Sequence, residues 1–567
     1  MDLVAVRSRA EKAADRGLAH LWDRQRENGS WVDRLSSSTV ATALGALSLY
    51  RADPEGNRDR IAAAVRWLRA NQRADGGWSM ADAEAPSSPG MTAFAIAALY
   101  EIDPDGAGAT LYRGWAFLDA NDAENVIPGL RGEAPKTWPA ALPTIWGLVG
   151  LRDPREQPDQ PVEAVLLPSW LRNKVSIALP VILALGVLQA RTLPRGLLRR
   201  LTGRVAEPKA LDWLREVSGA NGGIEECPMI AGFVYLGLHA AGVGRDLQLA
   251  SLRYLLGTQR PDGSWAIDRD LEISVTAYAI MALAEFSDVA AEPRLHGARD
   301  WLLDAQWNRP FAPLDLPAGG WAWANPSGWP ETEDTAVVLG VLADLGVPRG
   351  HPAVELGLRW LLRMQNRDGS WSEWVRNSAI MNDRPCAGVT AHAILALDRF
   401  GMSAAPDSAI ARGLSYLDSH RQVDGSIASV WFRDSTHGTA RLLEAFTATR
   451  NGADPAARAA HGWLVAEQAD DGGWPRHHEL PPEGATAEET AWALFALLHA
   501  GHDPADAAVL RAVDWLVDRQ DDRGTWRPSS VGLYFDDLCY TDDLIAHTFT
   551  LRALGRFLRV TDQDGTR

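Results

Sequence analysis

Two kinds of amphipathic segment alternate along this chain. Segments such as TAYAIMALAEF and TAHAILALDRF are apolar and Ala-rich nearly all round, whereas the segments before them carry Arg, Asp and Glu on one face. At a helical period the first kind predicts buried helices, and the second predicts outer helices with one face in water. The junctions repeat. An aromatic residue or His stands five residues before a Gln, and a Gly and a Trp follow, with Gln and Trp six apart: Gln25 and Trp31, Gln72 and Trp78, Gln259 and Trp265, Gln365 and Trp371, Gln468 and Trp474, Gln520 and Trp526. Worn copies run from Trp213 to Ile224, from Trp301 to Trp321 and from Tyr416 to Ile427. The Gly of each copy predicts a turn that ends the outer helix. The next helix opens on Thr-Ala with an apolar residue seven positions after the Thr, as from Thr42 to Leu49, Thr276 to Leu283 and Thr490 to Leu497. This pattern predicts an all-α fold in which outer and inner helices alternate and close on themselves, and the number of pairs predicts two α/α barrels.

Composition narrows the classes of function. A hydrophobic fraction of 46% with 23% charged residues belongs to a folded chain, and 567 residues exceed one ordinary core. The net charge of −17 supplies no overall positive field for nucleic acid. Cys227, Cys386 and Cys539 lie far apart without a CxxC pair, which argues against a disulfide framework and fits a reducing cytoplasm. The opening MDLVAVRSRAEKAADRG lacks a signal-peptide core, and no apolar run reaches about 18 residues, so neither secretion by that route nor a membrane span is expected. One stretch points to a membrane surface instead: LPRGLLRRLTGRV and the residues before it gather Arg191, Arg195, Arg199, Arg200 and Arg204 around leucines, the pattern of a helix lying on anionic lipid. The same pattern also suits a solvated outer helix. The expected location is the cytoplasm, with peripheral contact to the inner membrane face.

Twenty-four tryptophans against 12 phenylalanines and 9 tyrosines exceed what packing asks. Those outside the repeat register are candidates for a functional wall, and they concentrate in GGWAWANPSGWPETEDTAVVLGVLADL. There Trp321, Trp323 and Trp329 precede Glu331, Glu333 and Asp334 at the start of an apolar helix. A buried carboxyl among other carboxyls keeps its proton, and desolvated aromatic faces attract cations by about 2 kcal/mol each. Acid beside an aromatic wall is what protonation of a polyene requires.

The Gln-x-x-x-Gly-x-Trp copies are similar to the QW repeats of squalene-hopene and oxidosqualene cyclases, from about Leu18 to Phe557. GGWAWANPSGWPETEDTAVVL resembles that family's Asp-x-Asp-Asp-Thr-Ala acid segment, and VSIALPVILALG, CAGVTAHAILAL, EETAWALFALL and GLYFDDLCYTDDLIAHTFTLRALG resemble its other landmarks in order. The resemblance implies the class II terpene cyclase fold, two α/α barrels with a cavity between them: residues 18–275 as an inserted first barrel, and 276–567 with 1–17 as the second, which carries the acids. It implies protonation by the middle acid, a carbocation cascade, and no redox cofactor. Glu333 takes the donor position, Asp334 the adjacent one and Glu331 the first, while His392 matches the histidine that supports the acid. Trp323 and Trp329 flank the acids, Trp431 and Phe432 match a lining position, and Phe535 and Tyr540 fall in the carboxy-terminal lining segment.

The chain departs from the family pattern at three places. Its acids read Glu-Thr-Glu-Asp, Gly388 stands where an aspartate usually precedes the histidine by four, and Ser274-Val275 replaces a Trp-Asp pair. The helix start at Thr335 also gives Asp334 a capping reading that leaves Glu333 the proton. Squalene or a related linear polyprene is the expected substrate. The alternatives are a prenyl diphosphate of the geranylgeranyl type, which would bring Mg²⁺, and a silent lipid-binding relative. A zinc set of Asp383, Cys386 and His392 can be drawn, but its spacing matches no metal motif and no metal site is expected, and His477 and His478 suggest an exposed loop rather than metal ligands.

Overall fold

The computed structural model describes residues 2–80, 86–121, 141–193, 196–380, 382–402, 405–432, 435–450, 453–475, 484–535 and 538–564. His477, His478 and Arg195 lie outside them. The Gln amide and the Trp indole do the same work in each regular copy, as at Gln365 and Trp371. The indole N–H of Trp371 donates to Leu361 O at 2.8 Å, at the end of the outer helix, and its backbone N–H donates to Thr390 Oγ1 of the inner helix at 3.0 Å. The Gln365 amide donates to Gly369 O within the turn and to Ala409 O at the start of the next outer helix, each at 2.8 Å. Three helices are thus tied at one point. Gly369 sits at φ +93°, and a side chain there would also collide with Arg412 O, so the turn tolerates only glycine.

Six inner helices form a closed ring: Glu272–Leu283, Thr332–Asp344, Ala387–Arg399, Ser435–Arg450, Ala487–His499 and Asp543–Asp564, each packed on the next and the last on the first. Behind five of them lie the outer helices Pro352–Met364, Ala409–His420, Pro455–Ala466, Ala507–Asp518 and Leu3–Asp23. The rest of the chain builds a second set, with Thr39–Ala52, Pro89–Ile102, Leu142–Leu148, Leu179–Thr192 and Pro228–Ala241 inside, and Arg58–Ala70, Gly108–Ala120, Leu197–Val217 and Arg245–Thr258 outside. The inner helices are buried along nearly every residue because both the barrel wall and the barrel interior cover them. Among the described residues the sheet content is two short antiparallel strands, Gly532–Phe535 and Leu538–Tyr540.

The two sets exchange a pair of repeat contacts. Trp31 N–H donates to Thr276 Oγ1 at 2.8 Å, and Trp265 N–H donates to Thr42 Oγ1 at 3.0 Å. In the other regular copies with a described partner the Trp and the Thr are close neighbours in sequence, as at Trp78 and Thr92. The chain therefore leaves one ring after Trp31 and rejoins it at Thr276.

No helix among the described residues is long and apolar enough to cross a membrane. In the arginine-rich segment, Arg191 pairs with Glu207 and Arg199 with Asp159. Leu201 and Val205 are 52% and 55% exposed on the same helix, directly after Arg200 and Arg204 respectively.

Candidate active site

The acids are placed by the same hardware that builds the barrel. Trp321 donates its backbone N–H to Thr335 Oγ1 at 2.9 Å, and Glu331 N donates to Trp321 O at 2.9 Å, which fixes Glu331 as the extended residue before helix Thr332–Asp344. Thr332 Oγ1 donates to Ser372 O at 2.7 Å, and Thr332 N to Glu373 O at 2.9 Å, so the loop after Trp371 is held against the helix start. That lashing brings a fourth carboxyl, Glu373, and a further indole, Trp374, to the acids.

Glu331, Glu333, Asp334 and Glu373 line one cavity of about 550 Å³ with Trp323, Trp374, Trp431, Phe432, Tyr278 and Tyr540. The indoles of Trp323 and Trp374 meet edge to face at 6.2 Å, and those of Trp374 and Trp431 at 5.4 Å, giving a continuous aromatic wall. Burial pushes the Glu331 carboxyl well above the usual carboxylate range, and Glu373, Asp334 and Glu333 push it further. Burial likewise raises Glu373, with Glu333 adding to it, and raises Asp334 to about 6 against hydrogen bonding from Glu331 and Ser274. Glu331, Asp334 and Glu373 share their protons as a set, because their charges in this space repel. Tyr278 and Tyr540 are pushed up by burial and by the same acids, and keep their phenol protons.

His392 Nδ1 lies 2.5 Å from Glu333 Oε1, on the side away from the cavity. Gly388, one turn earlier, has no room for the aspartate that the family pattern puts there. A Cβ would lie 2.7 Å from His437 Cε1 and 2.9 Å from Ser429 Oγ. His437 fills that space, hydrogen-bonded to Ser429 Oγ at 2.9 Å, and burial holds its pKa well below the ordinary value.

Several expectations change. Asp334 does not cap its helix: it sits in the first turn with Oδ1 buried and unpartnered, and the preceding position belongs to Glu331, whose side chain makes no capping bond. Trp329 does not line the cavity; its ring packs on Phe311 at 5.7 Å. Trp321 is a repeat tryptophan, as its place in a worn copy predicts, its indole donating to Leu302 O at 2.6 Å. Phe535 lies in the first strand, and its side chain is outside the described residues. Asp383, Cys386 and His392 do not converge on a metal. Asp383 accepts from Trp374 N and Val375 N, Cys386 Sγ accepts from Val430 N, and His392 faces Glu333.

Asp268, Ser274, Tyr278, Glu373 and Trp374 line the cavity without having been singled out as lining residues. A signal for some of them was present. Asp268, Trp323, Glu373 and Trp374 each stand two or three residues after a repeat Trp, where the chain crosses the barrel rim before entering the inner helix.

A family model described as the squalene-hopene cyclase C-terminal domain matches residues 3–127 and 272–559. The chain belongs to the squalene-hopene cyclase family. Within that family it is similar to the squalene–hopene cyclase of Alicyclobacillus acidocaldarius, 28% identical over 97% of this chain and 98% of that one. It is also similar to the squalene–hopene cyclase of Bradyrhizobium diazoefficiens, 30% identical over 50% of this chain but 46% of that one. The chain thus spans about half the length of the latter relative and nearly all of the former. Among solved structures, the ent-copalyl diphosphate synthase of Streptomyces platensis shares the fold at a TM-score of 0.58 and 19% identity, over 97% of this chain and 99% of that chain.

Proposed function

We propose that this chain is a class II terpene cyclase, which starts the cyclisation of a linear polyprene such as squalene by protonation. The observation that supports it is a buried set of four carboxyls facing an aromatic wall across one cavity. Glu333 gives its proton to a terminal alkene carbon. A C–H bond forms, the π pair is consumed, and the positive charge falls on the more substituted carbon. The next alkene attacks that centre and passes the charge along the folded chain. Trp323, Trp374, Trp431, Phe432 and Tyr540 stabilise it through their faces, each by on the order of 2 kcal/mol when desolvated. The proton lost from the last cation restores the balance. Asp334 and Glu331 hold the remaining shared protons, and His392 donates a hydrogen bond to the conjugate base of Glu333. The step is proton transfer to carbon and calls for no redox cofactor.

The second reading is a prenyl diphosphate of the geranylgeranyl type, whose diphosphate Mg²⁺ would accompany. Incubation of the purified protein with squalene and with prenyl diphosphates, followed by gas chromatography, decides between them. A cyclic product from neither class would leave a silent lipid-binding relative.

The domain division belongs to the same proposal. A first barrel over 18–275 and a second over 276–567 with 1–17 is supported by the exchange at Trp31 and Trp265, with the first boundary drawn after the helix Leu3–Asp23 rather than inside it. That helix packs on the last helices of the chain, and Gln520 donates to Ala13 O at 2.8 Å. Contact with an anionic membrane is supported by the exposed Leu201 and Val205 beside Arg199, Arg200 and Arg204, and a cytoplasmic enzyme resting on the inner membrane face suits an isoprenoid substrate.

A further inference from the structure

Behind the acid set, the interior of the second barrel holds a second cavity of about 1200 Å³, and His392 stands between the two. Its wall is polar. Arg441, 1% exposed, reaches from helix Ser435–Arg450 with Nη1 at 3.3 Å from His392 Nε2 and Nη2 at 2.8 Å from Glu444 Oε1. Glu444 Oε2 in turn lies 3.5 Å from Arg552 Nη2. A buried arginine is costly unless paired, and its pairing here ends on the ring nitrogen that the acid does not use.

A guanidinium has donors and no acceptor, so the His392 nitrogen facing it must present a lone pair. The ring proton is then on Nδ1, the atom that faces Glu333 Oε1. We infer that Arg441 is a positioning residue for the acid: it holds His392 neutral, with its single N–H aimed at Glu333. The inference rests on the reading of Glu333 as proton donor. With this tautomer His392 can give a hydrogen bond to Glu333 Oε1 but cannot take the carboxyl proton, which stays on Oε2 toward the cavity. With the opposite tautomer, Nδ1 would accept that proton and draw it away from the substrate. With both nitrogens protonated, the histidine would trap the acid as an ion pair. Arg441 opposes both, by its donor geometry and by its charge.

The other groups around His392 are consistent with this assignment. Glu333 and Asp334 face it from the acid helix, and His437 and Glu444 flank Arg441 on its own helix. Arg552 and Arg556 line the cavity from the C-terminal helix, His499 from helix Ala487–His499, and Glu285 from just beyond helix Glu272–Leu283. Asp398 and Arg399 follow on the helix of His392, where Arg399 pairs with Asp344 of the acid helix. The outer helix Ala409–His420 contributes no lining residue. Against its burial, Arg441 and Arg552 hold Glu444 charged, so the guanidinium has its counter-ion in the same cluster.

The tautomer can be read without turnover. In full-length protein carrying ¹⁵N-labelled histidine, with the His392 signals assigned by their loss in His392→Gln, Nδ1 is expected protonated and Nε2 not. A protonated Nε2 would overturn the inference even if cyclisation is found. Kinetics supply the second arm. Arg441→Met combined with Glu444→Gln, which leaves no buried carboxylate to lose its partner, is expected to lower kcat about 100-fold with KM unchanged and to add an acid limb to the pH–rate profile. Glu444→Gln with Arg441→Lys, which restores a donor and a charge, is expected to recover the profile. An unchanged profile in the Met variant, or no recovery with lysine in an equally stable protein, would overturn it. Should the wild-type protein turn over no polyprene, the cyclase reading fails while the nitrogen shifts still test the tautomer.

Discussion

Asp334 illustrates how strongly the cavity acts on a single group. Its native value of about 6 lies above the ordinary 3.8, so the folded state holds a proton that the unfolded chain releases. The resulting penalty is absent below about pH 4, grows as pH rises and is complete above pH 6, at on the order of 3 kcal/mol. Asp334→Asn should therefore unfold at higher denaturant than the wild type at pH 7.5, and the two midpoints should converge toward pH 4. Glu333→Gln should leave the fold intact and abolish product; full retained turnover would transfer the donor role to Asp334 or Glu331. Glu333→Asp withdraws the carboxyl by about 1.5 Å, enough to cost at least 10-fold in kcat. The three motif acids were legible because they form a run before Thr335. The charge of Arg441 was visible in the same string, but nothing in its sequence surroundings says that helix Ser435–Arg450 turns it toward His392 rather than toward water.

Two tryptophans three residues apart show what an element-scale reading separates. Trp371 spends its indole N–H on Leu361 O, whereas the indole N–H of Trp374 is buried without a hydrogen bond and its ring joins the cavity wall. Trp371→Phe is expected to lower stability by about 1 to 3 kcal/mol with little change in product pattern. Trp374→Phe is expected to hold the melting temperature and change turnover or product distribution, checked by calorimetry beside product chromatography. The helices and their inner or outer sides could be read from the chain because the same hydrogen bonds recur in each regular copy. The rim segments could not, since they follow no period: Glu373 reaches the acids through the bond from Thr332 to Ser372 O, a contact between two repeats. Trp329 shows the opposite error, a tryptophan close to the acids in sequence whose ring packs elsewhere.

At the scale of the whole molecule, the arginine-rich helix Leu197–Val217 sits outside the first set of inner helices, with Leu201, Val205 and their arginine neighbours exposed. Co-sedimentation with anionic liposomes is expected at low salt and should fall when Leu201 and Val205 are both changed to Glu; equal binding by the variant would leave the segment an ordinary outer helix. The exchange of partners between Trp31 with Thr276 and Trp265 with Thr42 bears on how the molecule is made. The ring that carries the acids is closed by contacts such as Gln520 to Ala13, which span 507 residues. During synthesis the nested set of helices has all its strand-free hardware in hand long before that contact can exist, since domains fold as units while the chain emerges. The acid cavity is therefore expected to assemble last, its four crowded carboxyls coming together on a scaffold that is already half built.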